Sequence, residues 1–299
     1  MFNLHAPLRR ILASAIVTMA LAMVWAAPAL ATCTPTSGGN FASIVQDASA
    51  SYGVATVAQT RSVNGSACVD QGGSGATAYV RQEGGAGGSN NAQIIQIGGA
   101  GQGVYVRQQG DNNQVTVTQL QADGATSLGA QSQLSPGTLS VLANTHPRTS
   151  YAAVVFQTGS NDTARIAQGA GADGSYAEIN QGTDLSTASI TQNNTLTASI
   201  LGNFASIIQR FAGDTGDTAT VTQDGDNNYA SLKQNGSGNL GQIDQTGEAN
   251  SADLTQTGSG LAYAIVQDGT STVAGGITLT GVTNVSVMQA NVQTIVTAR

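Results

Sequence analysis

The chain has 299 residues, of which 9% are charged, 4% are aromatic and 38 are glycine, with a formal net charge of −7. A single lysine, Lys233, argues against a nucleic-acid binder, because neutralising phosphates needs clustered Lys and Arg. Abundant Val, Ile, Thr and Ala argue against disorder, which leaves a weakly charged, Gln/Asn-rich chain of strand-forming composition.

Residues 1–31 read as a secretory signal peptide. Arg9 and Arg10 precede an apolar run from Ile11 to Trp25, and Ala29-Leu30-Ala31 closes the segment as an A-x-A cleavage site. The run is short for a membrane span, which needs ~20 residues. Cleavage leaves eight basic against seventeen acidic residues, a net charge of −9.

From there one unit recurs. In residues 32–119 it appears as NFASIVQ, GVATVAQ, GSACVDQ, ATAYVRQ, NNAQIIQ, QGVYVRQ and NQVTVTQ, ending at Gln46, Gln59, Gln71, Gln82, Gln96, Gln108 and Gln119. Residues 120–150 break the pattern with Pro136, His146 and Pro147, and read as an irregular insertion or loop. In residues 151–270 the unit returns, ending at Gln157, Gln168, Gln181, Gln192 and Gln209. It then tightens to a strict spacing of eleven at Gln223, Gln234, Gln245, Gln256 and Gln267. Residues 271–299 contain strand-like NVSVMQ and NVQTIV without glycine punctuation, and read as divergent closing strands.

The unit is N-x-A-x-[ILV]-x-Q-x-G-x-x. Its Asn, Ala, aliphatic and Gln positions lie two apart, so in a strand all four point to one face, whereas a helix would scatter them. Glycine follows Gln after one residue, as at Gly225, Gly236, Gly247, Gly258 and Gly269, and in earlier copies at Gly110 and Gly159. It supplies the positive φ of a tight turn. Strand and turn repeated at one length predict an all-β fold: a β-solenoid, or β-helix, of stacked strand-turn-strand rungs with two ~11-residue arcs per rung and a cross-β-like stack. Proline is absent from every arc, as expected where each backbone N–H serves a ladder.

An inward Gln or Asn is costly unless paired, at ~1–3 kcal/mol per unsatisfied amide. Stacking resolves this, because each amide can donate to and accept from its copy one rung away. The predicted inward ladder comprises the seventeen glutamines named above with Asn228, Asn239 and Asn250. Solvent-facing glutamines of a polar linker would not keep register with the Ala and aliphatic positions.

These residues resemble the curlin repeat, the S/N-x-A-x-[ILV]-x-Q-x-G-x-x-N unit of bacterial curli subunits, over residues 40–119 and 151–267. The resemblance implies an exported, cell-surface subunit that polymerises into amyloid fibres of the biofilm matrix. It also implies an outer-membrane secretion pore, a nucleating subunit and periplasmic factors that delay assembly. The chain departs from those subunits in its length, its insertion, its two cysteines and the lack of a recognisable pore-targeting segment.

Other sites carry less. One mature histidine, His146, cannot form a triad, no His/Cys/Asp cluster has metal-ligand spacing, and neither a cofactor nor an enzyme is implied. The turns at Asp224–Asn228 and Gly110–Asn113 lack the nine-residue period of a calcium β-roll. Asp224, Asp226, Glu248 and Asp268 read instead as gatekeepers whose stacked charges slow growth. Cys33 and Cys68 are an even pair in an exported chain, open to a disulfide or to two free thiols, and Cys68 points outward by parity. The competing reading is a soluble, monomeric β-solenoid that binds a surface, as an adhesin or ice-binding protein. The mixed outward residues (Thr220 and Thr222, then Ser231 and Lys233) do not form the threonine column an ice face needs.

Overall fold

The computed structural model describes residues 40–46, 53–60, 64–72, 75–84, 88–98, 101–120, 152–169, 174–193, 202–210, 215–270, 273–280, 285–290 and 293–298. The signal-peptide segment, Cys33, His146 and the insertion beyond Leu120 lie outside them.

The strands are β1 (Phe41–Gln46), β2 (Val54–Thr60), β3 (Ser66–Gln71), β4 (Thr77–Glu83), β5 (Asn91–Ile97), β6 (Gly103–Gln109) and β7 (Gln114–Leu120). There follow β8 (Ala152–Gln157), β9 (Thr163–Gln168), β10 (Tyr176–Gln181), β11 (Thr187–Asn193), β12 (Phe204–Gln209) and β13 (Thr218–Asp224). The last are β14 (Tyr229–Asn235), β15 (Leu240–Thr246), β16 (Ser251–Thr257), β17 (Ala262–Asp268), β18 (Val273–Thr280), β19 (Val285–Ala290) and β20 (Gln293–Ala298).

Odd strands β1 to β17 form one nine-stranded parallel sheet and even strands β2 to β18 form another. Each strand therefore pairs with the strand two places on, and two successive strands make one rung of an all-β solenoid. This is the architecture the eleven-residue repeat predicts. Pairing keeps the motif in register: Gln223 lies beside Gln245 and Gln245 beside Gln267, while Ala230 lies beside Ala252. The stack runs without interruption past the insertion. There β6 pairs with β8 and β7 with β9, so that Gln108 lies beside Gln157 and Gln119 beside Gln168.

The core is the narrow space between the sheets. Ala67, Val69, Ala92, Ile94, Ala177, Ile179, Ala205, Ile207 and their counterparts fill it, each essentially inaccessible. Every buried Ile or Val stabilises by ~1.5–3 kcal/mol, and small Ala beside a branched residue lets the sheets approach closely. One exception is compensated. Tyr263 occupies an alanine position, and its neighbour in register is Gly241 on β15. A Cβ at Gly241 would press on the Leu232 methyls at 2.9 and 3.0 Å, so this glycine marks a crowded point of the interior. Burial of Tyr263 pushes its hydroxyl up to about 12.

The outer faces are less polar than the repeat suggests. On the even sheet Tyr79, Tyr105 and Phe156 make one aromatic run, with ring centroids 5.2 and 5.4 Å apart. Tyr176, Phe204 and Tyr229 make a second, at 5.5 and 5.0 Å. Between β6 and β14 the outward positions Tyr105, Val154, Tyr176, Glu178 and Ser206 are buried.

The C-terminal strands depart from the rule. β18 pairs with β16 through a bulge between Ala252 and Leu254, and Leu279 falls beside Gln256. β19 and β20 form an antiparallel hairpin, and β19 lies against β17.

Candidate functional site

The glutamines form two continuous, directional chains. In the odd sheet each Nε2 donates to the Oε1 one rung further on, through Gln46, Gln71, Gln96, Gln119, Gln168, Gln192, Gln223, Gln245 and Gln267, at 2.7–2.9 Å. The even sheet repeats this through Gln59, Gln82, Gln108, Gln157, Gln181, Gln209, Gln234 and Gln256, at 2.7–3.1 Å. From Gln59 on, the second hydrogen of each amide crosses the core to a carbonyl at the start of a strand in the facing sheet. Gln82 donates to Ser66 at 3.0 Å, Gln245 to Tyr229 at 2.9 Å and Gln267 to Ser251 at 3.0 Å. One side chain thus ties its rung to the next and ties the two sheets together. All donors run toward the C-terminal end, so the stack is polar.

The asparagines work differently from the amide-to-amide pairing expected of them. Asn228 Oδ1 accepts the backbone N–H of Asn250 at 2.9 Å, and its Nδ2 donates to the Gly247 carbonyl at 2.9 Å. Asn239 accepts from Leu261 N–H at 3.0 Å and donates to Gly258 at 2.9 Å. Asn250 donates to Gly269 at 3.0 Å. Each Asn therefore clamps the turn of the following rung, and Asn90, Asn113 and Asn203 do the same.

The turns hold two left-handed positions. Gly225, Gly236, Gly247, Gly258 and Gly269 take φ between 104° and 136°. A Cβ on Gly225 would collide with the Gly247 carbonyl one rung away. Gly159 departs from the expectation because its φ is not positive, yet a Cβ there would collide with the Thr183 carbonyl. The second position lies two residues on, at Asn112, Asn161, Asn227, Gly238, Ala249 and Gly260. Sequence reasoning missed it, although recurrent Asn or Gly four residues after Gln was the available signal.

Acidic groups occupy two kinds of buried place. Asp162 stands in the asparagine column, where its Oδ1 accepts the Ser186 N–H at 3.0 Å and its Oδ2 is buried with no hydrogen-bond partner. Desolvation pushes its carboxyl up to about 7, helped by the charge of Asp184 and opposed by the backbone N–H groups. Glu178, on the covered outer face, is likewise pushed up to about 7 by desolvation, against a bond from the Tyr176 hydroxyl at 3.3 Å and the charge of Arg210. Of the four gatekeeper candidates, Asp224, Glu248 and Asp268 are exposed, but Asp226 is buried and cannot present its charge to solvent. Cys68 faces outward from β3, as its parity requires, but it is buried and disulfide-bonded. Among the described residues no group of three or more His, Cys, Asp or Glu could hold a metal ion.

The two ends of the stack differ. From β3 to β17 the inward positions are shut off, but in β1 Ala42, Ile44 and Gln46 are exposed, Ile44 at 46%. Gln46 and Gln59 donate onward, and among the described residues no amide donates to their Oε1 atoms. At the other end Leu279 stops the even ladder and the β19–β20 hairpin lies against β17.

The site thus defines a class of protein, a polar parallel β-solenoid held by internal amide ladders. The curlin associated repeat family matches residues 215–247, a stretch that ends on the Gln245 turn. That match agrees with the resemblance read from the residues of this stretch. No curated protein matches the chain.

Proposed function

We propose that this chain is a secreted structural subunit that polymerises end to end into curli-like amyloid fibres of a biofilm matrix, where it serves adhesion and cell aggregation. The observation that carries the reading is the polarity of the glutamine ladders. A stack whose donors all point one way and whose first rung presents unfilled acceptors is complementary to another copy in the same orientation. The signal-peptide-like segment supplies export, and the curlin resemblance supplies the secretion pore, nucleating subunit and periplasmic chaperoning factors as partners. The role is structural rather than enzymatic.

The test is dilution of residues 32–299 from denaturant, followed by thioflavin fluorescence and electron microscopy over several concentrations. Fibres with a lag that shortens as concentration rises are expected. A chain that folds and stays monomeric at high concentration for days would instead support the soluble binding solenoid.

A further inference from the structure

The two ends of the stack are unequal in a way the repeat does not require. The N-terminal rung is a continuation site: β1 and β2 have their next rung on one side only, with Ile44, Val45 and Val54 exposed at 46%, 39% and 38%. The C-terminal rung is obstructed. β17 is the last strand of the odd sheet, and the next parallel strand would have to lie where β19 runs. β19 does not add to that sheet in parallel; it turns back on itself and gives its pairing to β20. The even ladder ends one rung earlier, because β18 has no glutamine and its bulge sets Leu279 beside Gln256. An exposed parallel edge invites further strands, and an element laid over that edge blocks them.

We propose that the β19–β20 hairpin is a displaceable cap over the β17 edge, and that its replacement in the fibre is β1 of a second copy of this chain. The proposal rests on the end-to-end assembly described above. The register is that of every step in the odd sheet: Ile265 beside Ile44 of the incoming copy, and Gln267 beside its Gln46, whose Oε1 is the acceptor the ladder's direction calls for. The junction carries one continued amide ladder rather than two, because Leu279 cannot donate to the incoming Gln59. The cap slows growth at this end while leaving the first rung competent. A cap closed in about nine copies of ten reduces the docking-competent population about tenfold.

Three forms of residues 32–299 test this: the full chain, a chain ending at Thr280, and the full chain with Val287→Pro, which removes a backbone N–H from the hairpin strand. The expected result is a thioflavin lag about tenfold shorter for the truncated chain, by the same open-fraction argument, and a shortened one for V287P. Hydrogen exchange on the unmodified chain supplies a readout without mutation: residues 285–298 should lose protection on assembly while residues 41–46 gain it. Fibres from all three forms with equal lags, or a longer lag for the truncated chain, together with retained protection of residues 285–298, would overturn the cap and leave end-to-end assembly standing. If no form makes fibres, the assembly reading falls and the cap falls with it.

Discussion

Asp162→Asn should stabilise the fold near neutral pH and leave it nearly unchanged in acid. Asp162 holds a place that asparagines fill in neighbouring rungs, and there Asn113 donates its Nδ2 to the carbonyl of Gly159 at 2.8 Å. An ionised aspartate has no such proton, and its Oδ2 is buried without a partner. Its carboxyl is raised from 3.8 to about 7, chiefly by desolvation. Because the folded value lies above the unfolded one, the contribution to stability is greatest below about 4 and is lost as pH rises through about 7. Three units at ~1.4 kcal/mol each give a ceiling of ~4 kcal/mol, and relaxation around the carboxylate brings the expected gain to ~2–3 kcal/mol. Urea unfolding of both forms, followed by far-ultraviolet circular dichroism at pH 4 and pH 7.5, measures it. The mutant-minus-parent difference should be ~2–3 kcal/mol at pH 7.5 and within ~1 kcal/mol of zero at pH 4. Equal differences at the two pH values, or destabilisation at pH 7.5, would refute the reasoning. Glu178, raised to about 7 by desolvation, adds a further loss of stability over the same window in the parent.

Three further outcomes follow from the same geometry. Gln245→Leu removes the acceptor of Gln223 and the donor to Gln267 and Tyr229. At ~1–3 kcal/mol for each of the three bonds lost, it should cost ~3–9 kcal/mol in urea unfolding and lengthen the thioflavin lag. Ala249→Gly relieves a φ of 54°. The left-handed strain of ~1–2 kcal/mol outweighs glycine's entropy cost of ~0.5–1 kcal/mol, so the unfolding free energy in urea should rise by a net ~0.5–1 kcal/mol. Cys68 is disulfide-bonded, so alkylation without reductant should leave the mass unchanged, and reduction should destabilise the first rungs by ~2–4 kcal/mol.

How far the sequence carried the fold depends on the range of each interaction. The Ala, aliphatic and Gln positions are two apart and the strict copies eleven apart, which was enough to define two parallel sheets and the inward face. Glycine after Gln marked one turn position, because φ is a property of the residue itself. The second left-handed position was legible only across copies, and Ala249 disguised it. The asparagine clamp was misjudged because a shorter side chain reaches the backbone of the next turn, where Gln reaches its own copy. Cys68 was assigned to an outer face by parity, but parity says nothing about what covers that face, and Cys68 is buried. Tyr263 takes a motif alanine position, and its register sets it beside Gly241, the one such position that glycine occupies among the strict copies. The antiparallel return of β19 had no signal in its sequence, because NVSVMQ alternates just as a repeat arc does.

The central claim is that the folded solenoid itself is the unit that stacks. Nine strands per sheet at ~4.8 Å give each copy a length of about 43 Å along the fibre. Mass per unit length of single filaments, measured by scanning transmission electron microscopy, tests this directly. One chain per about 43 Å is the predicted result, with reflections at ~4.7–4.8 Å and ~10 Å in aligned fibres. One chain per ~4.8 Å would mean that copies stack flat and in register rather than end to end, and would contradict the account.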